Sequence, residues 1–431
     1  MEAFWLPFTA NRAFKAAPRL FVNAKGMYYE AEDGRQILDS IAGLWCVNAG
    51  HGQRPIIEAI KAQAEQLDFV SSFSMSHRAA FELAERLAAI APEGIDHVFF
   101  TNSGSEAVDT ALKIARGYHK ARGQGERTKL IGRHKSYHGV GLGGLSVSGI
   151  SRHKRDFGPL LPDVDFLSLP YDAARSAYSR GQPDDGAAYA EDLAQLIALH
   201  DPATIAAVIV EPVTGSGGVY APPKGYLERL RSLCTEHGIL LIFDEVITGF
   251  GRVGAAFGSE AFGVTPDLIT CAKGMTNGAV PMGGVLAAGF VYEAFMDRSK
   301  DQTELFHGYT YSAHPLACAA ALATLDVYRD QGLFERAATI APAWEAAIHG
   351  LKGARHVTDI RNIGLLAAVD LAPRDEAPGA RGAALNKACF EAGVLIRNAG
   401  DTIVFSPPLI ISQDEIEQIA STIRAGLETV D

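Results

Sequence analysis

Short apolar runs with no polar alternation recur along the chain: HVFF at 97–100, KLIG at 129–132, AAVIV at 206–210, ILLIF at 239–243, DLITCA at 267–272 and VLAAG at 285–289. Between several of them the spacing changes to that of a helix. Residues 106–121 put Val108, Ala111, Leu112, Ala115 and Tyr118 on one stripe, and Tyr226, Leu230, Leu233 and Cys234 form another. Strands that are apolar on both faces, alternating with amphipathic helices, predict a mostly parallel sheet covered on two sides. The chain is therefore of the α/β class, and this larger domain spans roughly 56–315.

After an alanine-rich helical pattern at about 314–330 the character changes to α+β, with strands expected in LLAAVDL, GVLIR and TIVFS. A final helix is expected from 413, where Ser412 and Glu415 have capping-box spacing. MYYEAEDGRQILDS predicts a hairpin around Asp33-Gly34. The first fifty or so residues are too few for a core of their own, so residues 1–55 are expected to join 316–431 in a smaller domain. The loop GQPDDGAAYAED (181–192) is expected to lie on the surface and lead into a helix.

Composition narrows the function classes. Charged residues make up 21% of 431, and the net charge of -11 is spread without acidic or basic blocks, which argues against nucleic acid or an anionic membrane as partner. Five cysteines without a C-x-x-C fit a reducing cytoplasm, and no secretory leader is visible at the start. Residues 274–292 carry no charge over a membrane-spanning length, but five glycines and a proline make a loop followed by a buried strand the better reading. His51, His134 and His314 lack partners at metal-binding spacing, so structural or surface roles and no metal site are expected. GVGLGG (139–144) matches a dinucleotide fingerprint literally, yet no apolar strand leads into it and no helical pattern follows.

Candidate chemistry sits where the apolar runs end, which is where open α/β sheets bind ligands. Asn102-Ser103-Gly104-Ser105 follows HVFF and opens a helix, so free amides, hydroxyls and the helix dipole converge on an anion there, most usefully a phosphate; plain N-capping is the other reading. ILLIF stops in Asp244 and Glu245, and DLITCA stops in Lys273. An apolar setting lowers a lysine's pKa, and the neutral amine can attack a carbonyl. A carboxylate beside a heterocyclic nitrogen keeps that nitrogen protonated. Phosphate cradle, Schiff-base lysine and ring-nitrogen partner are together the parts that hold pyridoxal 5′-phosphate.

NSGSEAVDTALKIAR, SYHG (136–139), VEPVTGSGGV (210–219), LIFDEVITGFGRVG, AKGMTNGAVPMG (272–283) and HGYTYSAHP (307–315) resemble the class III aminotransferases of fold type I, colinearly from about residue 4 to 428. LPFTANRAF, GLWCVNAGHG (43–52) and IRNAGDTIVFSPPLI (396–410) are similar to the ω-amino acid:pyruvate branch, including β-alanine:pyruvate enzymes. The resemblance implies that Lys273 carries the covalent link to pyridoxal phosphate and shuttles the substrate proton. Asp244 would bond the ring nitrogen, Val246 would pack on one ring face and Tyr137 on the other, and His138 and Gly139 would shape that side. Ser103, Gly104 and Ser105 would bind the phosphate, with Glu211 in the surrounding polar network. Thr310 would reach the phosphate of a neighbouring subunit, giving a homodimer with shared sites and a tetramer as a further option. Arg397 would bind a substrate carboxylate between the apolar walls Phe8, Trp45, Phe73 and Tyr137. The implied activity is ping-pong transfer of an amino group from an ω-amino acid or amine to pyruvate. Decarboxylation, racemisation or an aminomutase reaction on the same scaffold, or a silent cofactor-binding protein, stay open on the sequence alone.

Overall fold

The computed structural model describes residues 2–298 and 300–431. Seven strands form one sheet in the order Ile95–Thr101, Gly283–Ala288, Leu268–Cys271, Leu240–Asp244, Ile205–Val210, Lys129–Arg133, Val164–Leu167. Gly283–Ala288 runs antiparallel to both its neighbours and the remaining pairs are parallel. The carboxyl ends of the other six strands therefore share one edge. The three central strands are buried along their whole length, as uninterrupted apolar runs require. The helix Gly104–Ala121 packs the expected stripe, Val108, Ala111, Leu112, Ala115 and Tyr118, against the sheet.

Two further sheets frame the site. Phe21–Lys25, Tyr28–Ala31 and Gln36–Asp39 form a meander with the expected turn at Asp33-Gly34, and Gln36–Asp39 pairs in parallel with Val394–Leu395. Chain start and chain end thus build one sheet. Val357–Ile363, Leu366–Leu371, Thr402–Phe405 and Arg397–Ala399 form the other. The last helix, Gln413–Thr429, carries the full capping box of Ser412 and Glu415.

Two details differ from the sequence expectations. Val164–Leu167 joins the sheet edge although only Leu167 is fully buried: its backbone pairs in parallel with Lys129–Arg133, and Lys129 meets Asp165 at 3.0 Å across the edge. A short helix, Leu142–Val147, begins inside GVGLGG. Its glycines are there for packing: a Cβ at Gly141 would come within 2.3 Å of the Asp109 carboxylate, which instead accepts the Gly144 N–H at 2.6 Å. The uncharged stretch 274–292 is, as expected, a loop followed by a buried strand, and the helix Gly289–Met296 continues it. Among the described residues no helix is long and apolar enough to cross a membrane.

Candidate active site

Five segments deliver side chains to the shared strand edge. Asp244 is the last residue of its strand, Glu211 follows Ile205–Val210, Lys273 follows Leu268–Cys271, the turn bearing Tyr137 and His138 follows Lys129–Arg133, and Ser103–Ser105 follow Ile95–Thr101. Asp244 is buried. Its Oδ2 lies 2.7 Å from His138 Nδ1, and its Oδ1 accepts from Thr270 Oγ1 at 3.1 Å and from the Val246 amide at 3.2 Å. The Thr270 contact follows from register, since the parallel ladder pairs Asp244 with Thr270. The buried Nε2 of His138 has no partner among the described residues.

Glu211 is buried too, and its two oxygens take the Tyr137 amide at 2.9 Å and the Gly215 amide at 2.8 Å. Burial pushes its carboxyl above the ordinary carboxylate range. Glu211 thereby fixes the Tyr137 turn. The second acid of the DEV run, Glu245, serves the fold instead. It receives the amides of Gly258 and Ser259 at the head of the helix Gly258–Phe262 and the hydroxyl of Thr248.

Lys273 begins a 3-10 turn in left-handed backbone at φ +48°. Its Nζ has no hydrogen bond or ion pair among the described residues and lies 5.3 Å from the centre of the Trp45 ring. Burial lowers its pKa to about 8, against the opposing pull of Asp244, Cys46 and Glu211. The Arg397 guanidinium lies over the same indole, also at 5.3 Å, and likewise has no acidic partner among the described residues.

At the head of Gly104–Ala121 the N-capping reading holds. Ser103 Oγ accepts the Glu106 amide at 3.2 Å, an N-cap, and Ser105 Oγ accepts the Val140 amide at 3.1 Å. The amides of Gly104 and Ser105 have no acceptor among the described residues, which leaves them to an outside anion. The space is closely cut: a Cβ at Gly104 would reach 3.0 Å from both Val246 methyls, and one at Gly139 would reach 2.5 Å from Ser105 Oγ.

Tyr137 meets His153 edge-on at 5.7 Å, and His153 meets Phe8 at 5.4 Å. His153 escaped the sequence reading because it stands in a basic run, SRHKR, that looks like a solvated face. Phe73 and Thr310 make no contact with these residues. Phe73 packs on Gly308 and shares with it a cavity of about 290 Å³, while Thr310 is exposed two residues on. His51, for which a structural role is expected, bonds the buried Asp39 at 2.8 Å. His314 caps its own helix by accepting the Leu316 amide. Among the described residues no group of three or more His, Cys, Asp or Glu could hold a metal ion.

Comparison with known proteins gives a consistent picture. The class-III aminotransferase family model matches residues 9–427. The chain is 57% identical to an omega-aminotransferase of Caulobacter vibrioides, over all of this chain and 98% of that one. It is 46% identical to a beta-alanine–pyruvate aminotransferase of Pseudomonas aeruginosa, over 100% and 96% of the two chains. A PLP-bound amine transaminase from an uncultivated Pseudomonas species superposes with a TM-score of 0.93 at 36% identity, covering 100% and 99%. With a family model spanning nearly its whole length, and with lysine, aspartate and open helix head on one sheet edge, the chain belongs to the class-III aminotransferases.

Proposed function

We propose that the protein is a pyridoxal-phosphate-dependent aminotransferase that moves the amino group of an ω-amino acid or amine to pyruvate, by a ping-pong route. The observation that carries this reading is the Lys273 amine, unpaired among the described residues, on the same strand edge as the buried Asp244. The names of the relatives support pyruvate as acceptor. Alanine formation from pyruvate with β-alanine, taurine, 4-aminobutyrate or 1-phenylethylamine tests it. Consumption of a donor without alanine would transfer the protein to the decarboxylase, racemase or aminomutase readings.

The residues present fit the cofactor. The free amides of Gly104 and Ser105 suit its phosphate, the glycines at 104 and 139 leave room that a Cβ would take, and Asp244 offers a buried negative charge to a ring nitrogen. When bound, the cofactor supplies an electron sink for the substrate carbon that loses a proton. Lys273 Nζ holds and returns that proton, and a pKa lowered to about 8 keeps a useful share of the amine neutral near physiological pH. Val246 and Tyr137 bound the ring's space, Glu211 fixes the Tyr137 backbone, and His138 holds Asp244 in place through Nδ1. Residues 56–315 form the cofactor-binding domain in this reading, with 1–55 and 316–431 as the smaller one.

Arg397 is the carboxylate ligand. Its guanidinium can take pyruvate through two parallel hydrogen bonds, and Phe8, Trp45 and Tyr137 give an apolar wall for amines without a carboxylate. Arg397→Ala is expected to weaken the pyruvate half-reaction by ~1.5–3 kcal/mol, roughly 10- to 150-fold, the scale of a charge-assisted hydrogen bond. The half-reaction with 1-phenylethylamine changes far less. Stopped-flow absorbance on each half-reaction decides, and equal losses reject the assignment.

Phe73 and Thr310 act from one subunit on its neighbour's site. Phe69, Phe73, Met75, Phe81, Phe306 and Tyr311 are all exposed around them, an apolar surface of the kind that marks a protein interface. A homodimer is expected, with pairing of dimers into a tetramer as the further option. Dilution below the dimer's dissociation constant then loses activity and cofactor together, and an active monomer in sedimentation contradicts the assembly. Thr310→Ala should weaken cofactor retention by ~1–3 kcal/mol, the cost of a lost buried partner, without changing donor preference.

A further inference from the structure

The indole of Trp45 faces both Lys273 and Arg397, so whatever fixes that indole fixes the space between the reacting amine and the carboxylate ligand. Trp45 is held by an unusual piece of backbone. Ala42, Gly43 and Trp45 have φ of +48°, +66° and +58° on either side of an extended Leu44 at φ -142°, so three of four consecutive residues have positive φ and two of them carry side chains that disfavour it. Such a turn persists only where its surroundings over-determine it.

Here the turn's own backbone bonds, Trp45 N–H to the Ile41 carbonyl and Cys46 N–H to the Ala42 carbonyl, both at 2.9 Å, are joined by one carboxylate. Asp39 is fully buried, and its Oδ1 accepts the Ile41 amide at 3.0 Å while its Oδ2 accepts the Gly43 amide at 2.6 Å and meets His51 Nε2 at 2.8 Å. His51 in turn packs against Tyr29 with ring centres 4.3 Å apart. Beyond the turn the chain is tied to the lysine loop: Asn277 Oδ1 accepts the Ala49 amide at 2.8 Å, and Asn277 Nδ2 donates to the Gly50 carbonyl at 2.9 Å. Before it, the Asp39 amide donates to the Met27 carbonyl at 2.8 Å. Both ends of the segment are thus anchored, and the turn 41–45 is the part whose shape depends on Asp39.

We propose that Asp39 and His51 are positioning residues that set the Trp45 indole between Lys273 and Arg397 and thereby control how tightly the site accepts a keto acid. This rests on the reading of Arg397 as carboxylate ligand. Neither residue touches substrate or cofactor in this arrangement; each acts through the turn. An unanchored indole would leave Arg397 without its seat and widen the pocket, raising the KM for pyruvate more than it lowers kcat.

Fluorine NMR of the holoenzyme labelled with 5-fluorotryptophan tests the geometry without turnover. The chain has three tryptophans, Trp5, Trp45 and Trp344, and the loss of one signal in Trp45→Phe assigns the one of interest. In Asp39→Asn the Trp45 signal is expected to shift or broaden while that of Trp344, buried against Phe405, stays in place. The KM for pyruvate is expected to rise about 5- to 20-fold with kcat within about threefold. His51→Gln, which keeps a donor towards Asp39, should restore the signal and the KM, whereas His51→Phe should not; if Asp39→Asn fails to fold, that pair carries the test. An unmoved Trp45 signal in Asp39→Asn and His51→Phe overturns the proposal, as does a moved signal with unchanged KM. Should pyruvate prove not to be an acceptor, the activity reading fails on alanine formation alone, and the fluorine signal with the KM of the keto acid then found still judges the positioning role.

Discussion

Replacing Lys273 by alanine should cut turnover by at least about 10²-fold while the protein keeps its fold, since loss of a positioned acid/base costs ~10²–10⁴-fold. The fold survives because the lysine amine holds nothing together: it has no hydrogen bond or ion pair among the described residues, and it follows its strand rather than lying within it. The strain of φ +48° is much the same for alanine as for lysine. Steady-state alanine formation checks the loss, and a variant keeping more than about a hundredth of wild-type turnover would remove Lys273 from the chemistry. The same variant gives a second readout in the cofactor-free protein. The folded lysine has its pKa lowered to about 8 from 10.5, so between those values the unfolded chain holds more protons and wild-type stability rises with pH. Below about pH 8 the charged amine costs stability that alanine does not. The melting-temperature difference between wild type and Lys273→Ala should therefore move in favour of the wild type as pH rises from 7.5 to 10. A difference that is flat with pH would mean the amine is not desolvated.

The strand edge was legible because each central strand reads as an apolar run that stops at a residue of definite chemistry. Asp244 and Lys273 announce themselves this way, and Gly104 does so as the opening of an amphipathic helix. What the sequence hid was side-chain contact between distant segments. Asp39 and His51 meet only because a left-handed turn folds the chain back between them, and no periodicity encodes that turn. Thr270 looks like any buried strand threonine until register sets it beside Asp244. Asp244 was singled out in the sequence, but what Glu245 does was not: only the return of the chain at Gly258 shows that the second acid caps a helix while the first faces the site. Val164–Leu167 was missed because an edge strand keeps polar residues.

That division between the two acids leads to the second large effect, expected for Asp244→Asn. Asparagine keeps a carbonyl oxygen for Thr270 and the Val246 amide, so the local fold and cofactor retention should change little. It presents an amide to His138 Nδ1 where a carboxylate stood, and it has no negative charge with which to hold a proton on a ring nitrogen. Losing one preorganised electrostatic contact costs on the order of 10²–10³ in kcat, and the whole negative charge is lost here, so kcat should fall by at least that much. Nitrogen-15 NMR of cofactor labelled at the ring nitrogen separates cause from consequence: the wild-type signal should be that of a protonated nitrogen at neutral pH, and the variant's that of an unprotonated one. The alternative partner is Glu211, a second buried carboxylate facing this edge, but both its oxygens are already taken by the amides of Tyr137 and Gly215. Burial also raises its pKa and so weakens its hold on a charge. Near-normal kinetics with a still-protonated ring in Asp244→Asn would overturn this assignment, and Glu211→Gln would then be the variant that loses the nitrogen proton.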